Sequence, residues 1–373
     1  MGRFPRHSPA PRRLFMAGFT GAILFGLVAC GGDGSEGGGR GGLTLNGAGA
    51  TFAMPLISTW SSEYQAETGS RVNYNSIGSG GGIRAHTDRT VDFAASEAPL
   101  SPEQFANAPG TLTLPFTIGT VAIAYNVPGV EELRLSGEVL GAIYRGEIRR
   151  WSNPAIQELN PGSELPDTEI VVVHRSDGSG TTYVFTEYLS KLDPVWAEDV
   201  GFSTSVSWPR GIGGNGNEGV AGAIRNSRGS IGYVELSYLD ALSLPAALIR
   251  NQEGEFLAPT LDGGTLAAET VVGQLPAGHE PWHEVSFTDP PGAGAYPISS
   301  FSYFFVYEEL STLGSRMTRE RAESIVRWLE WAVTEGQRFN NEVQNAALPE
   351  ALQERNLATL DRIRFNGDPI RTW

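Results

Sequence analysis

The chain has 373 residues, enough for two or three domains with sizeable cores, and its 47 glycines and 23 prolines follow no collagen-like period. A formal net charge of −15 argues against a nucleic-acid-binding surface. The same charge looks unfavourable for an anion ligand, but N–H donors and a single arginine act at contact distance, whereas distant surface charge is screened. Residues 1–29 read as an export signal outside the fold: Arg3, Arg6, Arg12 and Arg13 precede the apolar run "LFMAGFTGAILFGLVA", which is short for a transmembrane helix.

That run ends at Cys30, the single cysteine of the chain. "Leu27-Val28-Ala29-Cys30" resembles the lipobox of bacterial lipoproteins, which implies cleavage before Cys30 and lipid on its sulfur. A non-lipidated signal or an N-terminal anchor are the alternatives, and Arg12-Arg13-Leu14-Phe15-Met16 faintly resembles a twin-arginine signal. Without a cysteine after Cys30, the exported body must rely on its core and not on disulfides. "GGDGSEGGGRGG" then makes residues 30–42 a flexible tether on which a soluble body stands off the membrane, an arrangement that suits a receptor or accessory subunit.

From Leu43 the chain repeats one pattern, a strand, a Gly/Ser or Gly/Ala turn and a helix start. "LTLNGAGATF" gives a strand and turn, with Thr51 expected to cap a helix that carries Pro55 in its first turn, buries Leu56, Ile57, Trp60 and Tyr64, and stops at Gly69. The amides near Thr51 and Phe52 are candidate anion contacts. "RVNYNSIGSGGGIRAHT" runs a strand into Gly78-Ser79-Gly80-Gly81-Gly82, with a helix expected from Ile83. No Gly-Lys-Ser/Thr follows, so nucleotide hydrolysis is unsupported, and no G-x-S-x-G elbow marks a hydrolase. "VDFAASEAPLS" is a strand edge ending at Glu97, and "LPFTIGTVAIAYNVPG" a long buried strand ended by Asn126 and Pro128.

The richest stretch is "IVVVHRSDGSGTTYVFTEYLS". Ile170 to Val173 read as a buried strand, and Val184, Phe185, Tyr188 and Leu189 as one helical face. Between them the turn carries Arg175, a charged fork, with Asp177 placed to hold it, and the backbone N–H groups of the helix start can accept an anion. Gly211 to Gly216 read as a flexible loop, Val220 to Ile224 as a small-residue helix and Ile231 to Val234 as a strand. Residues 249–291 are loop-rich; their His279-Glu280-Pro281-Trp282-His283 matches H-E-x-x-H formally, but Pro281 and the lack of helix-start support make these ordinary loop residues. "YPISSFSYFFVYEEL" is an aromatic strand, and Ile325, Trp328, Leu329 and Ala332 mark a firm helix near the end. Short alternating α and β elements argue for α/β lobes.

The strings "GAGATF", "IGSGGG", "VDFAASEAPLS", "RSDGSGTT", "GIGGNGNEGV" and "GSIGYVE", in this order, resemble the phosphate-binding proteins of bacterial high-affinity phosphate ABC transporters over about Leu43 to Arg371. The resemblance implies an α/β, two-lobe periplasmic-binding-protein fold of the Venus-flytrap type. Two strands would cross near Asn126 and Tyr296, giving one lobe from residues 43–125 plus 297–373 and another from 126–296. It implies a non-enzymatic protein, a monomer, that binds inorganic phosphate outside the cytoplasmic membrane or in the periplasm and delivers it to permease subunits. Carried over by position, Thr51, Phe52, Ser79, Ser179, Gly180 and Thr181 donate hydrogen bonds, Arg175 gives a charged pair, and Asp177 orients it. The family commonly has aspartate where this chain has Glu97, the carboxylate expected to accept the proton of phosphate and reject sulfate. His174 is expected outside the pocket. A phosphatase lacks an evident activated nucleophile or metal cluster; another oxyanion and a sensor without a permease are the alternative readings.

Overall fold

A computed structural model describes residues 43–373; the expected signal peptide, Cys30 and the expected tether through residue 42 lie outside the described residues. Eight strands form one mixed sheet. They are β1 (Thr44–Gly49), β2 (Arg71–Ser76), β3 (Phe93–Ser96), β4 (Thr111–Asn126), β5 (Val171–Arg175), β6 (Ile212–Gly214), β7 (Ser230–Glu235) and β8 (Ser299–Tyr307), in the order β2-β1-β3-β8-β4-β7-β5-β6.

β4 organises the sheet. Its first part, Thr111 to Thr120, pairs antiparallel with β8, and its second, Val121 to Asn126, pairs antiparallel with β7. Apart from Asn126 it is buried throughout, as its near-continuous run of apolar and β-branched residues requires. One strand thus belongs to two halves: β1, β2, β3 and β8 lie on one side of the switch, β5, β6 and β7 on the other. Tyr296, expected near the second crossing, sits at the same switch, where its hydroxyl donates to the Val121 carbonyl at 3.1 Å.

Each half covers its strands with helices, and most of their apolar faces were legible in the sequence. Helix α1 (Met54–Thr68) buries Leu56, Ile57, Trp60 and Tyr64, and ends at Gly69 with φ 75°, a left-handed conformation in which glycine pays no Cβ penalty. Helix α2 (Ser79–Thr87) starts four residues before the expected Ile83. Its glycines are poor helix formers, but here they permit close approach: a Cβ on Gly82 would lie 2.5 Å from the Gly49 Cα. Helix α3 (Gly180–Leu192) buries Val184, Phe185, Tyr188 and Leu189, and Ser179 caps it by accepting from the Thr182 N–H. Helix α4 (Gly216–Asn226) begins before the expected Val220. The supposed flexible loop ahead of it contains β6, paired parallel with β5.

Helix α5 (Leu261–Val272) was not foreseen. It falls within the range 126–296 expected for the second lobe, yet it contacts β4 and β8, and its Ala267 and Ala268 pack with Phe301 and Phe305 of the first half. Gly263 and Gly264 make this possible, because side chains there would press on Tyr296 and Thr120. Helix α6 (Arg319–Val333) buries Ile325, Trp328, Leu329 and Ala332, and Trp328 meets Trp60 and Tyr64 edge to face, tying the C-terminal region to α1.

Candidate functional site

The strand–turn–helix units of the two halves point their turns at one another. Gly80 N–H donates to the Gly178 carbonyl at 3.0 Å, and the two glycines approach so closely that a Cβ on either would lie 3.1 Å from the other's Cα. Thr51, Ser79 and Glu97 from the first half and Arg175, Ser179 and Thr181 from the second are all buried, none more than 3 % exposed, and Phe52 is fully buried. The expected residues therefore converge.

Arg175, at the end of β5, is held from two sides. Its Nε and Nη2 donate to the two oxygens of Asp177 at 2.8 and 2.5 Å, and Nη1 donates to Thr181 Oγ1 at 3.3 Å. A guanidinium has five N–H hydrogens, so one on Nη1 and one on Nη2 are left for a further acceptor. Burial pushes the Asp177 carboxyl up, but the bonds and charge of Arg175, with the Gly216 N–H, more than reverse this and leave it below the usual range. The pair thus stays ionised and fixes the fork. Ser79, Gly180 and Thr181 open their helices, so their first-turn amides have no intrahelical acceptor. Thr51 does not cap α1: Ala53 occupies that position without a side-chain bond, and Thr51 Oγ1 instead accepts from Asn217 in the opposite half.

Glu97 lies at the end of β3, with Ser79 Oγ donating to Oε2 and Ser302 Oγ to Oε1, both at 3.1 Å. Gly180 faces it, and a Cβ there would overlap Glu97 Oε2 and come within 2.6 Å of Ser79 Oγ; the absent side chain makes room for the longer carboxylate. Burial pushes Glu97 up to about 7 against the lowering effects of Ser79, Ser302 and Arg175. A second carboxylate, Glu235 at the end of β7, is fully buried; burial first, and then the charges of Glu97 and Asp240, push it up to about 8 against the lowering effect of the Ser237 bonds. Its Oε2 accepts from the Ser237 N–H and hydroxyl, while Oε1 has no partner among the described residues.

These shifts predict a pH dependence. An acid whose folded pKa is raised binds more protons folded than unfolded, so stability falls as pH rises from the unfolded value of 4.5 to the folded one. Below pH 6.5 the buried His86, lowered to about 3 by burial, opposes this trend because it gains stability with rising pH. Above pH 6.5 the carboxyls outweigh what is left of the histidine titration. In buffer free of multivalent anions, urea unfolding should show stability falling by roughly 2–3 kcal/mol from pH 6.5 to 8.5. The double variant Glu97→Gln/Glu235→Gln should flatten that slope, and a wild-type stability constant or rising over this window would contradict the assignment.

Sequence reasoning missed Asn217, Ser302, Glu235, Tyr233 and Tyr238. Tyr233 OH accepts from the Arg175 N–H at 3.0 Å, and Tyr238 OH donates to the Thr51 carbonyl at 2.8 Å. Ser302 could have been found from period-2 alternation in β8, where Phe301 and Tyr303 face away from it. His174 lies on the far side of Arg175, stacked on Trp208 at 4.8 Å. His279 and His283 lie in turns, and no group of three His, Cys, Asp or Glu among the described residues is placed to hold a metal.

A family model described as a PBP superfamily domain matches residues 34–335. The phosphate-binding protein PstS of Xylella fastidiosa (strain Temecula1) is 38% identical over 315 residues, covering 83% of this chain and 82% of that protein. PstS of Pasteurella multocida is 38% identical over 309 residues, covering 82% and 87%. Among solved structures, a high-affinity periplasmic phosphate-binding protein, PfluDING, bound with phosphate, matches with a TM-score of 0.67 and 21% identity over 84% of this chain and 93% of that one. At that identity the structural match carries the fold alone.

Proposed function

The chain belongs to the PstS family of phosphate-binding proteins within the PBP superfamily, and on that premise we propose that it binds inorganic phosphate outside the cytoplasmic membrane and delivers it to the permease of an ABC-type importer. The observation that carries the reading is the meeting of Arg175, with two guanidinium hydrogens uncommitted, and the buried hydroxyls and helix-start amides of both halves around Glu97.

In this reading Thr51, Phe52, Ser79, Ser179, Gly180 and Thr181 donate to the phosphate oxygens. Arg175 supplies the positive charge, Asp177 orients it, and Glu97 pairs with the proton of the anion. A doubly charged anion leaves water only if fixed donors replace its hydration, and donors at helix starts cost no reorganisation. Because the donors come from both halves, phosphate favours the closed arrangement over an open one by the contacts the open one lacks. The work is capture and delivery, with no bond made or broken. We place the division of the chain into lobes at the β4 switch, and we assign the body to a monomer tethered through a lipid on Cys30.

Equilibrium dialysis of the purified protein, stripped of bound anion by unfolding and refolding, tests capture. One labelled phosphate retained per chain is expected, and none retained contradicts the proposal.

A further inference from the structure

Asn217, the second residue of α4, is fully buried and touches both halves of the site. Its side-chain amide has two hydrogens, and both are used: Nδ2 donates to Thr51 Oγ1 at 3.0 Å and to Thr181 Oγ1 at 3.2 Å. Its backbone N–H donates to the same Thr51 oxygen at 3.2 Å. Its Oδ1 accepts from the Glu235 N–H at 3.1 Å, which fixes the sense of the amide, since a flipped amide would set N–H against N–H.

A threonine hydroxyl has two lone pairs and one hydrogen. Thr51 Oγ1 spends both lone pairs on Asn217 N and Nδ2. Thr181 Oγ1 spends both on Asn217 Nδ2 and on Arg175 Nη1. Each hydroxyl is left with a single hydrogen to give and nothing more to accept. We propose that Asn217 is a positioning residue for phosphate capture: by saturating the acceptors of one threonine from each half, it commits both hydroxyls to donate to an oxyanion. The inference rests on the phosphate reading of the site.

An alternative role is a plain tie between the halves. A tie and a polarity device both need the threonine hydroxyls, which are the acceptors of the amide; they part when an acceptor replaces the amide, because it can still bridge the two hydroxyls but takes the hydrogens that the ligand needs. Asn217→Ala frees the hydroxyls to rotate. Asn217→Asp keeps the shape but replaces the donor by an acceptor, so that the hydroxyls turn towards the new carboxylate and away from the ligand.

Calorimetric titration of the anion-stripped protein with phosphate should show Asn217→Ala binding about tenfold more weakly and Asn217→Asp at least about 100-fold more weakly than wild type. In a Thr51→Val/Thr181→Val background, Asn217→Ala should cost less than about twofold, because nothing is left to orient. Equal costs in the threonine and valine backgrounds would overturn the inference while leaving the phosphate reading intact. Asn217→Asp binding like wild type would do the same, and so would Asn217→Ala binding phosphate like wild type if the aspartate variant does not fold. Wild-type protein that binds no phosphate would overturn both.

Discussion

Replacing Arg175 by alanine should abolish phosphate capture at micromolar concentrations while the fold survives. The two uncommitted guanidinium hydrogens would form charge-assisted bonds, each contributing about 1.5–3 kcal/mol, so affinity should fall by roughly 10² to 10⁴-fold. The change also orphans Asp177, whose side chain is 14 % exposed and whose depressed pKa depends on Arg175. Breaking such a pair costs up to about 3 kcal/mol after allowing for partial solvent access, which is within the stability of an ordinary domain. The double variant Arg175→Ala/Asp177→Ala should therefore recover stability in urea without recovering phosphate. Circular dichroism and titration together check this, and Arg175→Ala with affinity within tenfold of wild type would contradict the role given to the arginine.

Glu97→Gln should weaken discrimination against sulfate by at least about tenfold. Phosphate near neutral pH still carries a proton, whereas sulfate carries none. A buried, ionised Glu97 therefore meets a hydrogen-bond donor on phosphate and a bare negative oxygen on sulfate, and like charges at contact in a dry site cost several kcal/mol. Because burial pushes Glu97 up to about 7, the wild-type selectivity should itself depend on pH. Sulfate can enter only when Glu97 carries a proton, so sulfate affinity should rise about fivefold as pH falls from 8 to 7 and level off, about tenfold up, below about pH 6. Glutamine holds its hydrogens at every pH, and the variant should lose that dependence. An unaltered phosphate-to-sulfate ratio in Glu97→Gln would remove Glu97 from selectivity.

The structure also shows how the glutamate at position 97 is seated. A glutamate reaches further than an aspartate, and it is accommodated here because Gly180 has no side chain on the facing helix start. Its two oxygens are then pinned separately, by Ser79 from α2 and Ser302 from β8. A carboxylate fixed at both oxygens is held in one orientation.

What the sequence made legible was local. The strand at 170–173, the turn at Arg175 and the apolar face of α3 follow from a change of period within about twenty residues; the strand runs from Val171 to Arg175, and burial bears out those apolar positions except Val171, which is half-buried. Where local rules failed, tertiary contacts had overridden them. Thr51 has the chemistry of a helix cap, but its oxygen is engaged by Asn217, 166 residues away, and α1 starts later. Glycines 80–82 argue against a helix by propensity, and they are helical because two backbones pass where side chains could not fit. Asn217 had no local signature, since a buried partner from another part of the chain leaves no periodic trace, and Ser302 showed only as the polar position between Phe301 and Tyr303. Residues 249–291 resisted for a related reason: α5 is held by small residues against β4 and β8, and its neighbours are two very short strands and turns without a repeating apolar face.

The central claim is that one anion is held between the two halves by donors from both, with Arg175 supplying the charge and Glu97 the selection. Parallel calorimetric titrations of the anion-stripped protein with phosphate and with sulfate at pH 8 test it most directly. The account predicts one phosphate per chain, bound at micromolar concentrations or below, and sulfate weaker by at least about 100-fold. Sulfate binding as tightly as phosphate, or no phosphate bound, would contradict it.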